Sequence, residues 1–300
     1  MTRFASLLAA TDFSDDATLA GVRAALLAKE WGARLTLLHV VSRNALETVQ
    51  DLFSSPVETE AAAVAGSRTE LARQADAITA QTGLAPTLLV RAGRVLEEVV
   101  AAAQDCDLMV VGARGANPMR DLMVGTTAER LIRHAPVPAL VVRRAPETAP
   151  ARPYRHLLVP VDFSDAALPA LRLALRFAPE ARLTLVHAMD VSLEGKMWLA
   201  GVPDDKMRVH RAKLREHATT RMEALLEAAG VDRQRAVCVI DAGDAPRVVL
   251  EEEKKRDADL IVIGREGQSR VADFLLGSVT RRVLTHARCD VLVNASATAP

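Results

Sequence analysis

Glycines followed by hydroxyl residues occur twice in this chain, at the same spacing. GARG at 112–115 is followed by nine residues and GTT at 125–127, and GREG at 264–267 is followed by nine residues and GSVT at 277–280. Each set comes after a short apolar run and leads into a helical pattern. A first glycine lets a ligand approach the strand end, a second provides positive φ for a return turn, and a third opens a helix with unpaired N–H groups. This chemistry suits a phosphate.

The same residues have an ordinary structural interpretation. Glycine after a strand and Ser or Thr at a helix start are what simple turns and N-caps use, and a duplication copies structural glycines as well. Spacing alone therefore leaves a phosphate cradle and a plain corner equally open.

One aspartate follows the first strand of each repeat. Asp12 and Asp162 stand two residues before Ser14 and Ser164 in the repeated string DFSD. As turn residues they would precede helices capped by these serines. In a doubly wound sheet, however, ligands bind at the carboxyl ends of strands where the strand order reverses, so we favour ligand contact for both aspartates.

The sequence segments that position these residues occur twice in the chain. LLAATDFSD at 7–15 matches LLVPVDFSD at 157–165, RLTLLHV at 34–40 matches RLTLVHA at 182–188, and DCDLMVVGARG at 105–115 matches DADLIVIGREG at 257–267. The shift between copies stays between 148 and 152 positions, which indicates a tandem duplication. The proline-rich stretch around 143–155 predicts a linker. We therefore predict domain 1 at 1–146, a linker at 147–154 and domain 2 at 155–300.

Within each copy, apolar runs alternate with amphipathic helical stretches. Runs that are apolar on both faces and separated by helices predict a parallel sheet covered on both sides, so the fold class is α/β, with two tandem doubly wound, five-stranded, Rossmann-like domains. The segments 42–67 and 190–210 look irregular, and Met197 and Trp198 are expected to tuck under a loop. In the first copy, strands are predicted at 6–11, 34–41, 87–91, 107–112 and 138–143, and helices at 15–31 and 128–134.

Composition excludes several classes of function. The formal net charge is zero and aromatics are 3% of the 300 residues, which does not suit a nucleic-acid binder. No apolar run approaches the roughly 18 to 20 residues that span a bilayer, so no membrane partner is expected. Three cysteines without metal-ligand spacing fit a reducing compartment, and we expect a cytoplasmic location.

Four histidines recur in the repeats and lie in or beside predicted core elements. They are His39, His134, His187 and His286. We interpret them as structural, and no metal-ligand cluster emerges from them.

Taken together, DFSD, the two glycine sets and the ending RHAPVPALVV resemble the universal stress protein family. The resemblance covers essentially the whole chain, twice, and so indicates a tandem two-domain member. The ATP-binding branch of that family carries Gly-x2-Gly-x9-Gly-Ser/Thr, which both copies match. The resemblance thus implies ATP as the ligand, and leaves Mg²⁺ open as its companion.

The family's binding residues carry over to both copies. The first strand end would contact the nucleoside and adenine, the residue after the second-strand histidine would line the base pocket, and the glycine set would hold phosphates. In the first copy these are Thr11, Asp12, Val40, Val111, Gly112, Gly115, Gly125 and Thr126; in the second they are Val161, Asp162, Ala188, Ile263, Gly264, Gly267, Gly277, Ser278 and Thr280.

The copies differ at two of these places. Ala128 stands in the first copy where the second has the hydroxyl of Thr280, and Ala188 is smaller than Val40. The loop arginines Arg114 and Arg265 either offset phosphate charge or are solvated.

Catalysis is not indicated. The loop lacks the Gly-Lys-Ser/Thr ending of P-loop NTPases, and no base or nucleophile is evident. We predict an ATP-binding, nucleotide-responsive regulator in the stress response rather than an enzyme, with a slow ATPase and a structural or interaction scaffold as alternatives. Expected partners are adenine nucleotide and an unidentified protein. The resemblance also implies that the last strands, 139–143 and 291–294, pair between domains as a dimer within one chain, and that two chains can form a homodimer.

Overall fold

A computed structural model of the chain describes residues 4–42, 56–115, 124–143, 154–267 and 276–295. The chain divides into two compact units between Pro153 and Tyr154, here called domain 1 and domain 2. The predicted linker lies outside the described residues except for Tyr154. Tyr154 is buried, and its hydroxyl donates a hydrogen bond to Asp290 Oδ2 at 2.5 Å, so this residue is part of domain 2.

Domain 1 is a parallel sheet with helices between its strands. The strand order is β3-β2-β1-β4-β5, and every pairing is parallel. The order reverses between β1 and β4, as in doubly wound folds. Its elements are β1 Ser6–Thr11, α1 Asp15–Trp31, β2 Arg34–Ser42, α2 Pro56–Thr82, β3 Thr87–Gly93, α3 Val95–Ala103, β4 Leu108–Gly112, α4 Thr126–His134 and β5 Ala139–Val142.

Domain 2 repeats this topology. The strand order is β8-β7-β6-β9-β10, again parallel throughout. The predicted α/β class with two five-stranded, doubly wound domains is confirmed. The elements of domain 2 are β6 His156–Pro160, α5 Ala167–Phe177, β7 Arg182–Met189, α6 Ser192–Leu199, α7 Asp204–Ala229, a 3-10 turn Arg233–Arg235, β8 Ala236–Ala242, α8 Ala245–Arg256, β9 Leu260–Gly264, α9 Ser278–His286 and β10 Asp290–Asn294.

The central strands form because they are apolar on both faces. In β4 and β9 every residue before the terminal glycine is buried, which suits a sheet covered by helices on both sides. Helix α1 packs closely because small residues face the sheet: Ala20, Ala24 and Ala28 are fully buried. Truncating a fully buried leucine such as Leu37 to Ala would cost about 2–5 kcal/mol of stability.

Where the structure describes them, the two segments predicted as irregular are largely helical. Helix α2 begins at Pro56, and residues 43–55 lie outside the described part. The second segment contains α6 and the start of α7. Trp198, expected to tuck under a loop, is 68% exposed. The helices were missed because none of the three is strongly amphipathic, so the hydrophobic period that reveals surface helices is weak in each.

The predicted N-cap at Ser14 is confirmed, and the one at Ser164 is wrong. Ser14 Oγ accepts from the backbone N–H of Ala17 at 3.2 Å, at the start of α1. In domain 2 the helix begins later, with Ala166 at the cap position, and Ser164 Oγ donates to Asp162 Oδ1 at 2.6 Å instead. Within the described ranges, no helix combines the length and the apolar character that crossing a bilayer requires.

Candidate functional site

The candidate site lies where β6 and β9 end, at the reversal of strand order in domain 2. A cavity of about 470 Å³ opens at this edge. Ligand pockets of small molecules occupy about 300–1,000 Å³, so the cavity has the size of a ligand site. All nine residues predicted for the second copy line it: Val161, Asp162, Ala188, Ile263, Gly264, Gly267, Gly277, Ser278 and Thr280.

The aspartate after the first strand is held by its own turn. Asp162 Oδ1 accepts from the backbone N–H of Ser164 at 2.9 Å as well as from its hydroxyl, and Asp12 Oδ1 accepts from the N–H of Ser14 at 3.1 Å. This is the local hydrogen bonding that Asp uses in turns. The interpretation of these aspartates as turn residues is therefore correct for one carboxylate oxygen, Oδ1.

The residue after each aspartate adopts an unusual backbone conformation. Phe13 and Phe163 have φ of 65° and 61°, in the left-handed region that bulky side chains avoid. Each ring packs on a histidine, with centroids 4.2 Å apart for Phe13 and His39 and 4.5 Å apart for Phe163 and His187. Such backbone strain costs about 1–3 kcal/mol and persists only where the surroundings fix it.

Histidines on β2 and β7 hydrogen-bond to the strand end that precedes each turn. His39 Nδ1 lies 2.9 Å from the carbonyl oxygen of Thr11, and His187 Nδ1 lies 2.8 Å from that of Val161. A carbonyl only accepts, so Nδ1 carries the proton in both rings. Burial lowers the pKa of His187 below its ordinary value, and the positive charge of Arg221 acts in the same direction. The structural role inferred for these two histidines agrees with these bonds.

The second glycine of each set makes room for the aspartate. A Cβ on Gly267 would lie 2.6 Å from Asp162 Oδ2, and a Cβ on Gly115 would lie 2.7 Å from Asp12 Oδ2. Neither glycine has positive φ, so the prediction that the second glycine supplies a left-handed turn is wrong. These positions need glycine because the carboxylate oxygen comes too close for any side chain.

The first glycine of each set serves helix packing. A Cβ on Gly112 would come within 2.7 Å of the backbone of Asp16 in α1, and one on Gly264 would come within 3.0 Å of the Cβ of Ala166. The sequence predicts glycine here because it lets a ligand approach the strand end. The structure adds a second reason, since the neighbouring helix begins against the strand end and leaves no room for a side chain.

The third glycine opens a helix, as predicted. Gly125 and Gly277 are the N-cap residues of α4 and α9, and no side chain caps either helix. Their own N–H groups bond back to the carbonyls of Ala113 at 2.8 Å and Arg265 at 2.9 Å. The following N–H groups of each helix carry the partial positive charge of a helix start. In domain 2, Ser278 and Val279 of this first turn line the cavity.

Thr280 has a partner within the protein. Its hydroxyl donates to the carbonyl of Gly264 at 2.8 Å, and the residue is 3% exposed. The bond joins the start of α9 to the end of β9. Because the hydroxyl already donates its proton to Gly264, it can only accept a hydrogen bond from a ligand. Ionised phosphate oxygens do not donate, so this hydroxyl does not hydrogen-bond a phosphate while the bond to Gly264 is intact.

The loop arginines differ between the domains. Arg114 Nε donates to Asp16 Oδ2 at 3.0 Å, and the Asp16 side chain is only 8% exposed. Arg265 occupies the preceding loop position and is itself 9% exposed, with its Nε 4.0 Å from Glu266 Oε1. Burial lowers the pKa of the Arg265 guanidinium from its ordinary value, and the charge of Glu266 opposes this. Neither arginine is simply solvated.

The residues predicted in domain 1 occupy the equivalent edge of their own sheet. Thr11, Val40 and Val111 are buried at the ends of β1, β2 and β4. Gly115 lies against Asp12, and Thr126 is the first residue of α4. Strands β1 and β4 are neighbours, which brings the aspartate and the glycine set together.

Sequence reasoning missed one wall of the cavity in domain 2. Helix α7 contributes Leu214, His217, Ala218 and Arg221 to the lining. Arg221 holds the turn of Phe163: its Nη2 donates to the Phe163 carbonyl at 3.1 Å, and its guanidinium carbon lies 4.5 Å from the ring centroid. The available signal was the 3–4 residue spacing of these positions on one helical face.

Comparison with known proteins agrees with this architecture. The sequence pattern of the universal stress protein family matches residues 4–143 and again 153–294. A universal stress protein of Mycolicibacterium smegmatis is 25% identical over 291 residues, covering 89% of this chain and 91% of that protein. One of Methanocaldococcus jannaschii is 30% identical over 146 residues, covering 47% of this chain and 81% of that protein.

A solved structure shares the fold over the full length. The universal stress protein of Archaeoglobus fulgidus superposes with a TM-score of 0.68 at 19% identity, covering 96% of this chain and 97% of that one. The family pattern matches twice and spans most of the sequence. The chain therefore belongs to the universal stress protein family, and it carries the family domain in tandem.

Proposed function

We propose that this protein is an ATP-binding, nucleotide-responsive regulator of the stress response, and that ATP occupies the cavity of domain 2. One observation carries the proposal: a single cavity of about 470 Å³ joins the aspartate after β6, the glycine set after β9 and the start of α9. The two ends of this cavity differ in chemistry, as an elongated ligand with one anionic end requires.

The anionic end of the ligand would lie at α9. Gly267 and Gly277 leave backbone exposed to the cavity, and the uncapped first turn of α9 provides N–H donors. A helix start attracts anions because its N–H groups are unpaired and the helix dipole adds roughly half a positive charge there. Phosphates fit this environment.

The nucleoside would lie toward β7. Val161 and Ala188 provide an apolar surface at the ends of β6 and β7, and the small side chain of Ala188 leaves room for a planar base. Asp162 stands between the two ends, because β6 lies between β7 and β9 in the sheet. Its carboxylate accepts hydrogen bonds, as ribose hydroxyls donate them.

The cavity lining includes three carboxylates, Asp162, Asp190 and Glu266. Oxygen donors suit Mg²⁺, which typically binds proteins through one or two carboxylates together with substrate phosphates. The residues thus fit a magnesium–nucleotide complex, in which the cation would offset repulsion between Glu266 and the phosphates.

Among the described residues that line the cavity there is no lysine. Phosphoryl-transfer sites place a lysine or arginine on the transferring phosphate, and here Arg221 is engaged with the turn of Phe163 at the opposite end. The lining is suited to holding a nucleotide, and we propose that hydrolysis is slow or absent.

Calorimetric titration of nucleotide-free protein with Mg-ATP tests the proposal, and saturable binding is expected. The variant Gly267→Asp should abolish binding, because its side chain must occupy the space beside Asp162 and adds negative charge there. Ala224→Asp is a matched control, since Ala224 is exposed on α7 and does not line the cavity. Absence of heat at millimolar ATP with the unmodified protein would refute the proposal.

A further inference from the structure

We infer that the two domains have divided their roles: domain 2 takes the nucleotide, whereas domain 1 closes its equivalent site with its own side chains. The inference rests on the proposed function, because it concerns which of two related sites holds ATP. It is carried by a position-by-position comparison of the two strand ends. At two positions that leave space in domain 2, domain 1 has larger side chains, and a partly buried ion pair joins Arg114 to Asp16 in domain 1.

The first difference is at the base end. Ala188 follows His187 on β7 and lines the cavity, whereas Val40 follows His39 on β2 and is 7% exposed. The register is secure, because each histidine donates to the carbonyl at the end of the neighbouring strand. A β-branched side chain thus projects where domain 2 has a methyl group.

The second difference is on the long helix that covers the site. Helices α2 and α7 both end at a glycine with positive φ, Gly83 and Gly230, which sets their registers. Twelve residues before these glycines stand Leu71 in domain 1 and Ala218 in domain 2. Ala218 lines the cavity, and Leu71 is fully buried at 0% exposure. A leucine therefore fills volume in domain 1 that a methyl group leaves open in domain 2.

Other differences go the other way. The same registers place Val41, Ser67 and Gln74 of domain 1 where Met189, Leu214 and Arg221 line the cavity of domain 2. Domain 1 also has Val111 for Ile263 and Ala128 for Thr280, but Val111 and Ala128 are themselves 3% and 7% exposed, so the lost atoms do not leave these positions open to solvent. At the base end, the residues that close domain 1 are Val40 and Leu71, which are both buried.

The third difference is electrostatic and concerns the phosphate end. In domain 1, Arg114 from the glycine set pairs with the buried carboxylate of Asp16 at 3.0 Å, and the backbone of Asp16 lies against Gly112. In domain 2, Ala166 stands at the place of Asp16 and Glu266 at the place of Arg114. The pair is replaced at both ends, so it is a property of domain 1 alone.

This ion pair works against phosphate binding. Arg114 cannot turn to a phosphate without leaving Asp16 buried and unpaired, which is strongly unfavourable. A phosphate that binds without Arg114 gains nothing from that arginine, because its charge is already offset by Asp16. Together with the filled base end, this pairing should weaken ATP binding to domain 1 at least roughly tenfold relative to domain 2.

Stoichiometry and a single variant test the inference in the full chain. Titration of Mg-ATP into the unmodified protein should give about one site per chain, and Gly267→Asp should leave none. Two sites per chain, with one remaining in Gly267→Asp, would overturn the inference while leaving the proposed function intact. If the unmodified chain does not bind Mg-ATP at all, both the inference and the proposed function are wrong.

A labelling experiment removes dependence on the variant's folding. Photocrosslinking of azido-ATP to the unmodified chain, followed by peptide mass spectrometry, should label peptides of domain 2 near β7 and α7. Labelling of β2 or α2 at comparable yield would contradict the division of roles. An increase in site number on changing Asp16→Ala together with Leu71→Ala would identify the closing side chains; a label confined to domain 2 in that variant would show that they are not what closes domain 1.

Discussion

Thr280 gives the sharpest test of how the site is built. Replacing Thr280 by Val keeps the shape of the side chain and removes the hydroxyl that donates to the carbonyl of Gly264 at 2.8 Å. Because Thr280 is 3% exposed, water cannot easily replace the lost donor. Leaving a buried acceptor without its partner costs about 1–3 kcal/mol. The added methyl recovers a little of this by apolar burial, so we expect a net loss of about 1–2 kcal/mol.

The loss should appear in the thermal unfolding of domain 2. A destabilisation of 1 kcal/mol lowers Tm by about 2–4 °C in domains of about this size, so a loss of about 1–2 kcal/mol should lower Tm by about 2–8 °C in differential scanning calorimetry. Thr285→Val is the matched control, because Thr285 in the same helix donates to the carbonyl of Arg281 at 2.8 Å through a hydrogen bond that is exposed to solvent. Its Tm should change little, since exposed groups can exchange their partner for water.

ATP titration of the same variant separates the two roles that Thr280 could have. If the hydroxyl is a structural bond, Thr280→Val lowers Tm while the affinity for ATP falls only a few-fold through a less well fixed α9. An unchanged Tm with a tenfold or greater loss of affinity would refute the reasoning, because it would mean that the hydroxyl bonds the ligand rather than Gly264.

Two further predictions concern charge. Burial lowers the pKa of His187, so the folded state favours the neutral ring, and domain 2 should lose stability as pH falls below the unfolded-state pKa of about 6.5. His187→Asn keeps a donor for Val161 but cannot titrate, so urea unfolding between pH 7.5 and 5.5 should show a shallower pH dependence; an equal slope would contradict this. Glu266 lines the cavity at the phosphate end, so Glu266→Gln should tighten magnesium-free ATP binding several-fold and reduce the effect of Mg²⁺. Calorimetry with and without chelator measures this, and an undiminished magnesium dependence would argue against contact between Glu266 and the phosphates or their cation.

The repeated motifs predicted the architecture well, because they state local chemistry directly. The strands ended at Thr11 and Gly112 as their apolar runs indicate, and both lie at the predicted switch of strand order. The duplication allowed each assignment to be checked against a second copy. The cavity of domain 2 collects residues from β6, β7, β9 and α9, which are far apart in sequence, because their ends meet at the switch of strand order.

The missed features depend on three-dimensional contacts. The need for glycine at 115 and 267 comes from an aspartate about a hundred residues away, not from a local turn. Positive φ at Phe13 and Phe163 has no sequence signal, because phenylalanine is not a residue that favours this region. The wall contributed by Arg221 was hidden since α7 is polar on most of its surface.

The strained turn at Phe163 has a consequence for how a signal could leave the site. Its aromatic ring contacts His187 on one strand and the guanidinium of Arg221 on a helix, and its carbonyl is bonded as well. Asp162 is therefore held in place in the folded protein before any ligand binds. A ligand does not have to order this turn, which favours its affinity. A turn that is already fixed is a poor reporter of occupancy. If ATP binds as we propose, we expect its signal to leave through α9, on the opposite side of β6, and a partner that senses the nucleotide should be sought on that side.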